Sequence, residues 1–330
     1  MRVLITGGLG FIGSALVRRL LDGKPEVEVI NVDCQTYAGN PANLAGYDRS
    51  PRYQWVRTKI QDSAAIRALL SRLTVDAIIN CAAESHVDRS IQDPEPFIAT
   101  NVLGTEVLLH YSRRYGVERF LQMSTDEVYG SLSLDQGTFT EETPLNPSSP
   151  YSASKASADL LTLAHHRTYG QSVVITRCSN NFGPYQYPEK LIPLFVTNGI
   201  EGKPWPLYGD GQNVRDWIFV EDHVEAVWEV LQRGTPGRVY NIGARNEHSN
   251  RAVAETLLRW MDLPSSQIVR VEDRLGHDRR YAIDPNRIER ELGWHPRHGW
   301  DEALRETVAW YRAHREWWEP LKAAAPSPRS

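Results

Sequence analysis

The chain has 330 residues, 41% hydrophobic and 24% charged, an ordinary globular mixture able to bury one large core or two moderate ones. Its 37 basic and 41 acidic residues leave a net charge of −4, and the basic runs are doublets such as Arg113-Arg114 and Arg279-Arg280, which argues against nucleic acid as the main partner. No stretch approaches the roughly 18 consecutive apolar residues of a membrane span. The three cysteines, Cys34, Cys81 and Cys178, have no metal-ligand or redox spacing, so no metal is expected and a reducing cytoplasm is the expected setting.

In chain order, a strand is predicted over residues 3–6. It ends on Gly7, Gly8 and Gly10, which also stop the N-terminal apolar run short of a secretion leader. A helical pattern follows over 11–21, then a strand over 27–32. Further strands are predicted over 54–59, 77–80, 119–123 and 172–176, separated by helical patterns over 63–72, 96–115 and 151–169. This alternation predicts an α/β fold with a doubly wound parallel sheet. Beyond Asn180, five prolines (184, 188, 193, 204 and 206) and the turn Gly209-Asp210-Gly211 interrupt the pattern, predicting a smaller, loop-rich second region. Trp294, Trp310, Trp317 and Trp318 are expected to pack on C-terminal helices. The Ala, Pro and Ser of 323–330 predict a disordered tail.

Gly7, Gly8, Gly10 and Gly13 follow a strand and open a helix. In that setting glycines make a tight turn and let backbone approach a pyrophosphate, with helix N-terminal amides facing it. Asp33 falls 20 residues after Gly13, at the end of the second strand. A carboxylate there accepts hydrogen bonds from a ribose diol and repels a 2′-phosphate, so NAD is the expected cofactor rather than NADP.

Tyr151 and Lys155 stand four apart in a helical pattern and project from one face. An ammonium near the phenol is expected to lower its pKa and fit Tyr151 to act as a base. Asp126 and Glu127 follow the apolar strand 119–123 and stand at the sheet edge where ligands bind. Crowded carboxylates resist ionising together, so one can stay an acid while the other is a base. Neighbours on a regular strand point to opposite faces, so their convergence requires that the strand has ended; otherwise they form a solvated acidic loop.

These features, with the runs 82–90, 179–185, 189–193, 214–217 and 276–281, resemble the extended short-chain dehydrogenases, and within them the sugar-nucleotide dehydratases. The resemblance implies a Rossmann domain over 1–180 and 218–242, and a sugar-nucleotide-binding domain over 181–217 and 243–322. It implies loss of water from a nucleoside-diphosphate hexose, with NAD as an internal hydrogen carrier. Thr125 and Tyr151 would bond the sugar 4-hydroxyl, Asp126 would be the acid and Glu127 the base. Lys155 would also hold the nicotinamide ribose. The implied cofactor site comprises Gly7, Gly10, Phe11, Ile12, Gly13, Asp33, Thr36, Lys59, Ile60, Ala82, Ala83, Thr100, Tyr151, Lys155 and Asn181. The implied substrate site comprises His86, Thr125, Asn180, Lys190, Leu191, Pro206, Tyr208, Arg215, Asn250 and His277. Arg215 suits the diphosphate by its planar fork. Related proteins pair through two long helices, making 96–115 and 151–169 the expected homodimer interface.

Two positions depart from the family pattern. Lys59 replaces an Asp on the adenine side and offers no acceptor to the adenine amino group, so weaker cofactor retention is expected. Leu275 replaces a proline before Gly276-His277, leaving that loop less fixed. Two rival readings are a sugar-nucleotide 4-epimerase, which does not need the Asp126-Glu127 pair, and a non-catalytic NAD sensor, which needs neither acid nor base.

Overall fold

The run Val3-Leu4-Ile5 sends alternate side chains to opposite faces of a sheet. Val3 and Ile5 join a buried cluster with Leu16, Leu20 and Val227, whereas Leu4 joins one with Ile66, Leu108 and Phe120. Ala77 and Ile79 likewise share the first cluster and Ile78 the second. Strands covered on both faces explain why the sequence reads as short continuous apolar runs.

The computed structural model describes residues 1–135, 137–273 and 276–324. Its strands are β1 (Arg2–Thr6), β2 (Glu28–Val32), β3 (Tyr53–Val56), β4 (Ala77–Asn80), β5 (Arg119–Thr125), β6 (Val173–Cys178), β7 (Asn180–Phe182), β8 (Trp205–Tyr208), β9 (Val214–Phe219), β10 (Val239–Ile242), β11 (Glu247–Ser249) and β12 (Ile268–Val271). The helices are α1 (Phe11–Gly23), α2 (Ser63–Arg72), α3 (Val87–Gln92), α4 (Glu95–Phe97), α5 (Thr105–Arg114), α6 (Pro150–Tyr169), α7 (Leu191–Glu201), α8 (Val220–Arg233), α9 (Asn250–Met261), α10 (Asn286–Leu292), α11 (Trp300–Ala313) and α12 (Arg315–Ala324).

Seven strands form one parallel sheet in the order β10-β6-β5-β4-β1-β2-β3. The chain winds from β1 to β3, returns to β4 beside β1 and winds the other way. The switch point therefore lies between β1 and β4, and a crevice opens at their carboxyl ends. β11-β9-β7 and β12-β8 form two smaller sheets. Phe195, Trp205, Trp217, Leu257, Tyr311 and Trp318 fill the core beneath them.

Several local expectations are corrected. β3 stops at Val56 instead of 59, because the chain turns away to bury Ile60 beside Gly104, where an added Cβ would lie 2.5 Å from Ile60. The helix expected over 96–115 is broken into α4, a π-helical segment Ile98–Gly104 and α5. The π turn carries buried Asn101, whose amide accepts from the Glu84 N–H at 2.9 Å and donates to Ser154 Oγ at 2.8 Å. The prolines after 180 interrupt less than expected. Pro193 sits in the first turn of α7, where its missing N–H costs nothing, and Pro206 sits within β8. Trp294 packs in the core just past α10 rather than on a helix. Ala323 and Ala324 complete α12 instead of opening the tail; residues 325–330 and Leu275 lie outside the described residues.

Candidate active site

A cleft of about 620 Å³ opens at the switch point, lined by every residue expected to hold the cofactor or perform chemistry. On the cofactor side Gly7 has φ +69°, and a Cβ there would lie 2.8 Å from the Ala82 backbone. A Cβ on Gly13 would lie 2.2 Å from the Gly7 carbonyl. These close approaches let the turn fold flat against α1. Gly10 caps α1 without a side-chain hydrogen bond, which leaves first-turn amides to an anion in the cleft. Asp33 Oδ2 accepts from the Leu9 N–H at 2.9 Å and Oδ1 from the Gln35 N–H at 2.7 Å. Burial raises its pKa and these two amides oppose the rise. A flat turn, free helix amides and a fixed carboxylate suit a dinucleotide. Lys59 is exposed at the cleft edge, but Gln61 also lines the cleft and carries the carbonyl acceptor that Lys59 lacks.

β5 ends at Thr125 and passes into a 3₁₀ turn, Asp126–Tyr129. The strand runs two residues beyond the expected 123 and ends before the carboxylates, as their convergence requires. The Thr125 hydroxyl donates to Asp126 Oδ1 at 3.3 Å and accepts the Glu127 N–H at 3.3 Å. Asp126 is buried and its Oδ2 has no protein partner. Burial, then the charges of Glu127 and Asp216, push its pKa well above the carboxylate range, with Arg215 and Thr125 opposing. Both causes favour the neutral acid over the carboxylate.

Tyr151 lies in the first turn of α6, whose N-terminus is closed by a Ser149/Ser152 capping box. Its N–H donates to Ser90 Oγ at 3.1 Å. The expected lowering of the Tyr151 pKa is reversed: burial, then Glu127, Cys178 and Asp126, push it well up, and a hydrogen bond with Thr125 opposes them. Lys155 is committed elsewhere, donating from Nζ to the Met123 carbonyl at 2.6 Å. Burial lowers its pKa and Asp159, one turn along α6, opposes this.

Of the substrate set, Asn180, Lys190 and Thr125 line the cleft. Lys190 is the N-cap of α7 and Leu191 its first residue. His86 caps α3 and stands 3.7 Å from Glu189. Arg215, on β9, lies 4.2 Å above the Tyr281 ring and donates to the Asp278 carbonyl at 2.9 Å. Pro206 and Tyr208 stand on β8, Asn250 opens α9, and His277 pairs with Asp273 at 2.6 Å. Arg215, Pro206, Tyr208 and Asn250 thus lie on or beside the small sheets, and they, like His86, Leu191 and His277, stand outside the lining of the cleft. Sequence reasoning missed Cys81 and Cys178 as lining residues, whose thiols burial holds neutral at about 12. It also missed His223, a buried ring whose Nδ1 meets Asn181 Oδ1 at 2.7 Å.

A doubly wound sheet, a glycine turn with a spaced aspartate, and a Tyr-Lys pair facing two carboxylates define a short-chain dehydrogenase-type enzyme of the extended kind. Residues 4–307 match the family model of GDP-mannose 4,6 dehydratase, and the chain belongs to that family. Within it, the chain is 52% identical to the dTDP-glucose 4,6-dehydratase of Streptomyces griseus, covering 99% of this chain and 98% of that one. The crystal structure of DesIV, a dTDP-glucose 4,6-dehydratase from Streptomyces venezuelae with NAD and TYD bound, superposes with a TM-score of 0.94 at 52% identity, covering 97% of this chain and 100% of that one. A UDP-glucose 4-epimerase from Thermotoga maritima shares the fold at TM-score 0.88 and 28% identity, covering 95% of this chain and 99% of that one. Among the described residues, no helix is long and apolar enough to cross a membrane.

Proposed function

We propose that this chain is a dTDP-glucose 4,6-dehydratase, a hydro-lyase that holds NAD in its cleft and converts dTDP-glucose to dTDP-4-keto-6-deoxyglucose. The observation that carries this reading is buried Asp126, its Oδ2 without a partner among the described residues, next to Glu127 in the cleft that Tyr151 also lines. Oxidation at C4 alone, as in an epimerase, needs no such acid and base, and the similarity to dTDP-glucose 4,6-dehydratases supports the same choice.

Gly7 to Gly13 receive the pyrophosphate, Asp33 and Thr36 the adenosine ribose, Lys59, Ile60 and Gln61 the adenine side, and Lys155 the nicotinamide ribose. Ala82, Ala83, Thr100 and Asn181 complete that wall. When bound, NAD would supply the hydride chemistry, as acceptor of the C4 hydrogen and as its donor at C6, and its positive charge would favour the phenolate of buried Tyr151. Tyr151, with Thr125, receives the proton of the 4-hydroxyl. The 4-ketone acidifies C5, and Glu127 removes the C5 proton. Asp126 donates its proton to the departing 6-hydroxyl, so that water leaves. Glu127, partly open to the cleft, exchanges its proton with solvent before returning one to C5, and the proton taken up by Tyr151 replaces the one Asp126 gave away, so that all three residues end the turnover as they began it.

Lys190 and Arg215 hold the diphosphate. His86, Asn180, Leu191, Pro206, Tyr208, Asn250 and His277 complete the sugar-nucleotide site once the small sheets close over the cleft. Residues 1–180 with 218–242 form the cofactor part and 181–217 with 243–322 the substrate part, with β7 and β9 at the seam. The chain works in the cytoplasm, in keeping with its three free thiols. It pairs as a homodimer through α5, α6 and the π segment, where Ile98, Leu103, Leu160 and Tyr169 are exposed. Incubation with a panel of nucleoside-diphosphate hexoses tests the assignment: the ultraviolet absorbance of a 4-keto product should appear with dTDP-glucose. Interconversion of glucose and galactose without that absorbance would return the enzyme to the epimerases.

A further inference from the structure

Three separated parts of the chain meet at one carboxylate that the reaction does not use. The Tyr37 hydroxyl donates to Glu189 Oε1 at 3.1 Å. His86 Nε2 and the Arg89 guanidinium stand 3.7 and 3.6 Å from Oε2. The Arg89 guanidinium also lies over the Tyr37 ring at 3.6 Å, and Tyr37 meets Tyr187 edge-on at 5.5 Å.

The donors belong to the cofactor side. Tyr37 sits in the loop that leaves β2 past Asp33 and Thr36, and this loop is tied to the glycine turn by the Asn40 N–H on the Leu9 carbonyl at 3.0 Å. His86 and Arg89 belong to α3, which follows the Ala82-Ala83 wall. The acceptor belongs to the opposite side, one residue before Lys190. Tyr37, Tyr187, Glu189 and Lys190 all line the cleft. A dinucleotide seated on the glycine turn is therefore enclosed by this junction.

Building on the NAD-dependent reading above, we infer that Glu189 is a positioning residue that fastens the Lys190 segment to the cofactor wall, setting both how long NAD stays bound and how Lys190 meets the substrate. A single partly exposed ion pair contributes little, but one acceptor shared by a hydroxyl, a guanidinium and a nearby imidazole couples three segments at once. Glu189→Gln keeps an acceptor for Tyr37 and removes the charge that draws Arg89; Tyr37→Phe removes the remaining contact.

The test is the rate at which purified enzyme, as isolated with NAD, releases it on dilution into a scavenger of free NAD, together with kcat and KM. Release should accelerate about tenfold in Glu189→Gln and further in the double variant. KM should rise several-fold while kcat stays within about twofold, because Glu189 touches no reacting atom. Unchanged release in both variants, or a fall in kcat with NAD retention intact, would overturn the inference. Unmutated enzyme that takes up no NAD at all would instead refute the cofactor reading on which it rests.

Discussion

Asp126 and Glu127 are adjacent in sequence but occupy different surroundings. Asp126 is buried with an unpartnered Oδ2, while Glu127 is partly open to the cleft. That difference supports the proposed roles of Asp126 as acid and Glu127 as base, and it predicts separate failures. Glu127→Gln should still convert bound NAD to its reduced form on adding substrate, whereas Tyr151→Phe should not, since only the second loses the acceptor of the 4-hydroxyl proton. Stopped-flow absorbance of the reduced nicotinamide decides this, and equal loss in both variants would break the division of labour. Asp33→Ala should narrow the preference for NAD over NADP by removing a like-charge contact with the 2′-phosphate. Titration of both cofactors checks it, and equal affinity of the unmutated protein for the two would sink the assignment. The glycines and Asp33 were readable because backbone approach and ribose binding constrain residue type at fixed spacing. The pKa direction of Tyr151 was not, because burial and the charges of Glu127, Cys178 and Asp126 raise it while the Lys155 ammonium is turned to the Met123 carbonyl, and no spacing rule reports burial.

At the scale of elements, α6 carries both Tyr151 and Lys155, and its start is set by Ser149. The Ser149 hydroxyl accepts the Ser152 N–H at 3.1 Å, and Ser152 Oγ accepts the Ser149 N–H at 3.0 Å. Ser149→Ala should cost about 1 kcal/mol by chemical denaturation. It should also lower kcat, because the frayed turn is the one that holds the phenol; stability loss with unchanged kcat would show that Tyr151 is positioned by other contacts. The strands and the longest helices were legible through period 2 and period 3.6. The π segment was not: its hydrophobic pattern passes for continuous helix, and what bends it is the distant contact of Asn101 with Glu84 and Ser154. α7 was hidden for the converse reason, since Pro193 reads as a breaker unless it falls in the first turn.

Across the whole molecule, α8 leaves the small sheet and packs on the large one, and its His223 fixes Asn181 at the seam. Burial drives the His223 pKa from 6.5 to about 3. A folded pKa below the unfolded one means that the unfolded chain binds a proton the fold refuses. This contribution is therefore intact above pH 6.5 and declines as pH falls toward 3, by about 1.4 kcal/mol per unit. Urea midpoints should fall more steeply between pH 6.5 and 5.5 in the unmutated protein than in His223→Gln; parallel slopes would show that the ring is protonated in the fold. The substrate residues on β8, β9 and α9 could be named from resemblance, but their distance from the cleft depends on how the small sheets sit over the large one, which no local pattern encodes. In the proposed reaction one enzyme-bound cofactor would serve both the oxidation at C4 and the reduction at C6 within a single turnover. The most direct test is turnover of a mixture of dTDP-glucose deuterated at C4 and unlabelled dTDP-glucose, followed by mass spectrometry of the product. Deuterium should appear at C6 of the same sugar molecule, with solvent hydrogen at C5; label crossing between molecules, or free NADH accumulating with turnover, would contradict the account.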